Sequence, residues 1–253
     1  AVGIKVDTSA LAALDRDLSQ TVDAHARAMQ AAAGCRFNPA SHPQKMQVLY
    51  GARVRQRYTI LGRPADGLPS FELAPALNDD RRPGAGAKQL DQLLQRDLSE
   101  RARRVVEELQ GHTESVHLHR TYVGKMPGAI DPDGRVRTNL NIHVTRTGRL
   151  SSSDPINMQN IPIRTPLGQR IRRVFVASAW DGEPTVLLEA DYSQIELRWA
   201  AFLSRDPVFL DVFNSGGDFH HEVALRLLGS EQLAREMRPY IKTFNFALLY
   251  GSK

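Results

Sequence analysis

Thr185-Val186-Leu187-Leu188-Glu189-Ala190-Asp191-Tyr192-Ser193-Gln194-Ile195-Glu196-Leu197-Arg198-Trp199-Ala200-Ala201-Phe202 changes its periodicity halfway along. Val186, Leu187 and Leu188 form a short unbroken apolar run, the pattern of a buried strand. From Ser193 onward, Ile195, Trp199 and Phe202 recur at intervals of four and three, which predicts that the chain turns from strand into helix. Asp191 falls at the junction, at the carboxyl end of the strand and facing a cleft, and Glu196 projects from the first turn of the helix beside it. A carboxylate in that place can cap the helix or hold a hard divalent cation. Taken alone, Asp191 reads first as the cap.

Composition sets the frame for this stretch. A chain of 253 residues with 42% apolar content can bury a sizeable core and is globular, with one to three domains. The formal charge of +5 and pI near 9.5 suit a polyanionic partner. Only six of the 33 cationic residues are lysine. Arginine is the better bidentate partner for phosphates and base edges, although a GC-rich genome enriches it too. Cys35 is the single cysteine, which excludes an intrachain disulfide and a cysteine-based zinc site. No segment has the pattern of a membrane span or a signal peptide, so no membrane partner is expected and the expected location is the cytoplasm. The chain opens at Ala1 and stops at Lys253 inside a helical pattern, so both ends read as cut.

Upstream, Asp7-Thr8-Ser9 offers helix caps, and Leu11, Leu14, Leu18, Val22, Ala26 and Met29 predict one amphipathic helix over residues 9–33, ended by Gly34. Residues 35–87 are rich in Pro, Gly and polar residues, with one strand expected at residues 57–61 and a loop tip at residues 83–86. Leu90, Leu93, Leu94, Leu98, Val105, Val106 and Leu109 predict a second long helix closed by Gly111, antiparallel to the first. Asp131-Pro132-Asp133-Gly134 is a turn between strand-like stretches.

Two further segments carry chemistry. Residues 147–162 hold Arg149, Gln159 and Asn160 in a polar loop nearly free of other charge. Such side chains hydrogen-bond base edges and sugars, and an ordered loop satisfying its own backbone is the other reading. In the last segment, Pro239 suits the first turn of a helix. Arg238, Lys242, Phe246 and Tyr250 follow at intervals of four, with Ile241, Phe244 and Leu248 on a second face suited to a core. Two cations followed by two aromatics make a platform for phosphates and a base, and by periodicity alone an ordinary amphipathic helix fits equally.

The eight residues from Asp191 to Arg198 resemble the palm carboxylate motif of family A DNA polymerases, the bacterial DNA polymerase I type. The loop at 147–162 resembles the family's second signature, with one residue more between the Asp-Pro and Gln-Asn pairs than many members have. Arg238-x3-Lys242-x7-Tyr250-Gly251 matches its fingers helix, and Asp218-Phe219-His220 a position that contacts the incoming nucleotide. The resemblance implies an α+β fold: a thumb-like helical region at 1–120, a partial antiparallel palm sheet at 121–204 and the first fingers helices at 205–253. It implies template-directed transfer of a deoxynucleotide to a primer 3′ hydroxyl, with primer-template DNA and deoxynucleoside triphosphates as partners and two Mg²⁺ ions as cofactors. By the same resemblance Asp191 and the Tyr192 carbonyl would be metal ligands, and Lys242 would assist catalysis. Arg238, Lys242, His220, Phe246, Gln194, Glu196 and Tyr250 would hold the nucleotide, Glu196 acting against a 2′ hydroxyl. Arg149, Gln159 and Asn160 would hold DNA.

Two dications need at least a second carboxylate. The family draws it from a His-Asp-Glu motif that does not occur in these 253 residues. The chain is therefore expected to be a fragment or one half of a split enzyme, inactive alone, with a second polypeptide as a possible partner. The alternatives are a non-catalytic DNA-binding subunit, against which Asp191, Arg238 and Lys242 speak, and part of a single-subunit RNA polymerase, against which Glu196 speaks.

Overall fold

The computed structural model describes residues 2–51, 69–179 and 182–251, and the strand expected at 57–61 lies outside them. The chain forms two compact units, Ala1–Leu187 and Leu188–Lys253.

In the first unit, strand β1 (Ile4–Val6) leads into helix α1 (Thr8–Ala33). The Asp7 carboxylate starts α1 by accepting the Ala10 amide at 2.9 Å. Gly34 ends it in the left-handed region at φ 72°, its amide reaching back to the Gln30 and Ala31 carbonyls. Both ends fall within a residue of expectation. Next come α2 (His42–Tyr50), α3 (Ala87–Leu94) and α4 (Glu100–Leu118). The single helix expected from Leu90 to Gly111 is thus two helices. The break at 95–99 is fixed by Ser99, whose hydroxyl accepts the Ala102 amide and begins α4 afresh.

Gly111 does not close a helix but lies inside α4. A Cβ there would stand 2.5 Å from the His25 ring of α1. The missing side chain lets α1 and α4 approach, and His25 Nδ1 meets Glu108 Oε2 across the seam at 2.6 Å. α4 runs on into a π-helical turn at His119–Val123.

Beyond it lie α5 (Met126–Ala129), β2 (Arg135–Val136), β3 (Leu140–Asn141), β4 (Ser151–Ser152), α6 (Pro166–Arg172) and β5 (Phe175–Val176). β1 pairs antiparallel with β2 and β5 in the order β2-β1-β5, and β3 with β4 makes a separate ribbon. The expected turn at 131–134 forms, with the Gly134 amide on the Asp131 carbonyl at 2.8 Å. Hydrogen bonds from Arg137 hold the Asp133 carboxyl at about 2.

Two cores support the unit. Met29, Leu49, Tyr50, Leu90, Leu93 and Leu109 fill one between α1 to α4. Val6, Leu14, Leu18, Met126, Ile156 and Ile171 fill the other beside the sheet. Each fully buried leucine, isoleucine or methionine contributes about 1.5–3 kcal/mol.

Residues 185–190 form no strand, and Val186 and Leu188 are 85% and 89% exposed. An apolar run becomes a buried strand only where a neighbour accepts its backbone bonds and another layer covers it. Among the described residues nothing does either.

The second unit is four helices: α7 (Ile195–Ser204), α8 (Pro207–Asn214), α9 (Phe219–Leu228) and α10 (Glu231–Leu249). Asp206, Asp218 and Ser230 cap α8, α9 and α10 with their side chains. Leu197, Val212 and Phe219 form its small core, with Phe209 stacked 4.0 Å from Phe219. The helix expected after Ser193 forms as α7, with Ile195, Trp199 and Phe202 exposed and Leu197 and Ala201 facing inward. Two expectations fail on α10. Phe244 and Leu248 are exposed, while Ala234 and Asn245 are buried. Pro239 lies inside α10 because Ser230 caps the helix two turns earlier. Periodicity identifies residues that share a face; which face is covered depends on what packs there, and here alanines allow the close approach.

Candidate nucleotide and nucleic-acid site

Asp218 is the hub of the second unit. One carboxylate oxygen accepts the His221 amide at 3.1 Å and starts α9. The other accepts Nε of Arg238 at 3.0 Å together with an Nη2 hydrogen. Burial raises the Asp218 pKa, but the Arg238 and His221 hydrogen bonds outweigh it and the net shift is downward. The pair pins the middle of α10 to the start of α9.

His220, two residues beyond that cap, is 1% exposed. Its Nδ1 lies 3.1 Å from the Asn245 amide nitrogen. That nitrogen can only donate, so the neutral ring carries its proton on Nε2. Nε2 is buried and has no hydrogen-bond partner among the described residues. Burial lowers the His220 pKa; Arg238 and Lys242 lower it further, against the opposing charge of Asp218. The ring is therefore a neutral donor at pH 7 with an unused N–H. Phe246 lies 5.5 Å from it and stacks on Tyr250 at 6.1 Å, the planes 17° apart. Lys242 is exposed, one turn beyond Arg238.

The structure thus gathers His220, Arg238, Phe246 and Tyr250, and adds two residues that the sequence reading did not place in the site. Asn245 carried a signal, being a polar side chain in the middle of an apolar helical stretch. Asp218 was legible only as the first letter of its Asp-x-His pattern.

Ahead of α7, Asp191 and Tyr192 are exposed, and Glu196 is half-buried in the first turn. Asp191 does not cap α7, because Gln194 holds that position in the left-handed region at φ 53°. Gln194 Oε1 is buried without a hydrogen-bond partner among the described residues. Mg²⁺ requires an octahedral set of oxygens. Asp191 and the Tyr192 carbonyl supply at most part of one, and among the described residues no group of three His, Cys, Asp or Glu could hold a metal ion. The residues present do not fit a two-ion centre.

In the first unit, Arg149 is exposed after a turn at Gly148, its carbonyl accepting the Thr145 hydroxyl at 2.6 Å. Gln159 is fastened by its amide to Ser152 Oγ at 3.1 Å and by its side chain to the Leu150 carbonyl at 3.3 Å. The Asn160 carbonyl accepts the Tyr122 hydroxyl at 2.5 Å. The extra residue of this loop is no loose bulge: Ile156 is buried in the core and Asn157 accepts from Ser152. Gln159 and Asn160 line a shallow cavity of about 410 Å³ with Arg164 and Arg172.

The polymerase domain from M. smegmatis, solved in complex with DNA primer-template and dNTP, superposes with a TM-score of 0.77 at 30% identity, over 98% of this chain and 40% of that one. The family model for DNA polymerase family A matches residues 8–253, and the chain belongs to that family. It is similar to the thermostable DNA polymerase I of Thermus caldophilus, with 38% identity over 99% of this chain and 27% of the relative. It is also similar to DNA polymerase I of Pseudomonas aeruginosa, with 35% identity over 98% of this chain and 25% of the relative. The chain spans about a quarter of the length of these curated relatives.

Proposed function

We propose that this chain supplies the nucleotide-selecting face and part of the DNA-holding surface of an enzyme that adds deoxynucleotides to a primer 3′ hydroxyl on a template. The observation that carries this reading is the buried, unpartnered Nε2–H of His220 beside Arg238. A desolvated donor without an acceptor is an unfavourable arrangement that a phosphate oxygen relieves. Arg238 keeps one guanidinium edge on Asp218 and offers the other to the triphosphate. Lys242 adds a mobile charge. Phe246 packs on the sugar and Tyr250 stacks near the template base. Gln194 and Glu196 form the floor under the sugar, and Arg149, Gln159 and Asn160 hold the nucleic acid.

In this reading residues 1–120 serve as thumb, 121–204 as part of the palm and 205–253 as part of the fingers. Two Mg²⁺ ions belong to the proposed chemistry. Asp191 and the Tyr192 carbonyl would be donors to them, but no step is assigned to ions that the residues present do not complete. A second polypeptide carrying the remaining donors is the partner this leaves open. No helix among the described residues is long and apolar enough to cross a membrane, and with bacterial relatives the proposed location is the bacterial cytoplasm.

Titration of the chain with a fluorescent deoxynucleoside triphosphate tests the reading. Arg238→Ala removes charge-assisted hydrogen bonds of about 1.5–3 kcal/mol, so affinity should fall roughly 10- to 100-fold. Equal affinity in the parent and the variant would end it.

A further inference from the structure

The first unit holds a second concentration of positive charge, apart from every residue assigned above. A cavity of about 460 Å³ is lined by Lys45 of α2, His112 and His117 of α4, Arg120 and Thr121 of the π-helical turn, and Lys125 just beyond it. No Asp or Glu lines it. Two of the lining groups are withdrawn from water: Lys45 is half-buried and His112 is 6% exposed. Burial pushes the Lys45 ammonium down, and burial together with His25 and Lys45 pushes His112 down. Of the nearby carboxylates, Glu108 is engaged by His25 at 2.6 Å and Arg104 at 2.7 Å, and Asp15 by His119 at 2.7 Å. Several donors therefore converge on one space with their mutual repulsion uncompensated, an arrangement that an anion relieves. The volume is that of a small-ligand site.

We propose that this cavity binds a compact polyphosphate, either free or as the phosphate tail of a nucleotide. Lys45, Arg120 and Lys125 provide the charge, Thr121 a hydroxyl donor, and His112 a group that takes up a proton as the anion enters. The titratable and charged groups facing His112 are Lys45, His117, Arg120, Lys125 and, from α1, His25 with its Glu108 partner. An anion entering among Lys45, Arg120 and Lys125 can only raise the His112 pKa from its lowered position. Binding strengthens as pH falls and is accompanied by proton uptake.

The test is calorimetric titration of the full chain with inorganic tripolyphosphate at low salt. It is run in an Arg238→Ala, Lys242→Ala background, so that the nucleotide face proposed above does not contribute and the two readings fail separately. The expected result is saturable one-site binding with proton uptake, measured by repeating the titration in buffers of different ionisation enthalpy. Affinity should fall tenfold or more in both Arg120→Ala, Lys125→Ala and Lys45→Gln, and should be unchanged in Arg16→Ala, an exposed arginine of α1. Circular dichroism checks that each variant is folded, and either of the two lining variants suffices. ATP binding tighter than tripolyphosphate sustains the proposal with a nucleotide as ligand; equal binding sustains it with phosphate alone. Absence of saturable binding overturns it. So does equal affinity across the lining variants and the control, or binding of duplex DNA but not of tripolyphosphate.

Discussion

Replacing Asp218 separates two functions that one carboxylate performs at once. Asp218→Asn keeps an oxygen for the His221 amide but loses the charge that faces Arg238, whereas Asp218→Ala loses both. A side-chain helix cap is worth about 1 kcal/mol. The Arg238 pair would contribute about 1.5–3 kcal/mol if fully buried. Its side chains are 39% and 35% exposed, so solvent screening reduces this to roughly 1 kcal/mol. Asp218→Asn should therefore destabilise the chain by about 1 kcal/mol, and Asp218→Ala by about 2 kcal/mol, the cap and the pair together. Urea unfolding followed by helical circular dichroism measures both. The Asp218 charge also raises the pKa of His220, so Asp218→Asn should lower it further, as read from the imidazole resonances in an NMR titration. Equal destabilisation by the two variants, or a His220 pKa that does not move, would refute the division of labour.

Four further outcomes are expected. Because the folded pKa of His220 lies below the ordinary 6.5, the buried neutral ring contributes fully above that pH and its contribution is lost as pH falls toward the lowered value. Unfolding midpoints measured from pH 7.5 to 5 should drop in the parent and drop less in His220→Gln. Gly111→Ala should destabilise by about 1–3 kcal/mol through overpacking against the His25 ring, and a neutral result in urea unfolding would show that the seam can open freely. In a polymerase-competent polypeptide that includes this chain, Phe246→Tyr should relax discrimination against dideoxynucleotides by restoring a hydroxyl near the missing 3′ oxygen, read as chain termination on a primed template. In the same polypeptide, Glu196→Ala should raise the ratio of ribo- to deoxynucleotide incorporation; an unchanged ratio would remove Glu196 from the sugar pocket.

Local chemistry made some of this legible in advance. Asp7 and Gly34 bound α1 in the sequence as they do in the structure, because caps act within a few residues. The spacing of Arg238, Phe246 and Tyr250 likewise survives folding, since a helix carries its stripe with it. What resisted reading depends on distant partners. Val186, Leu187 and Leu188 have the composition of a core strand, but a strand exists only through its neighbours. Gly111 has the composition of a helix end, and its purpose is set by His25, far away in the chain. Asn245 and His220 lie 25 residues apart, so their pairing left no local trace.

Pro239 gives α10 a mechanical character of its own. Without an amide hydrogen it cannot donate to the Arg235 carbonyl, so the helix has one backbone bond fewer to resist flexing there. The joint is splinted from outside, by Asp218 on Arg238 just before it and by His220 on Asn245 beyond it. Both splints belong to the first turn of α9. The rigidity of α10 at its midpoint is thus lent by a neighbouring helix through two polar contacts, and an anion that draws Arg238 from Asp218 loosens one of them.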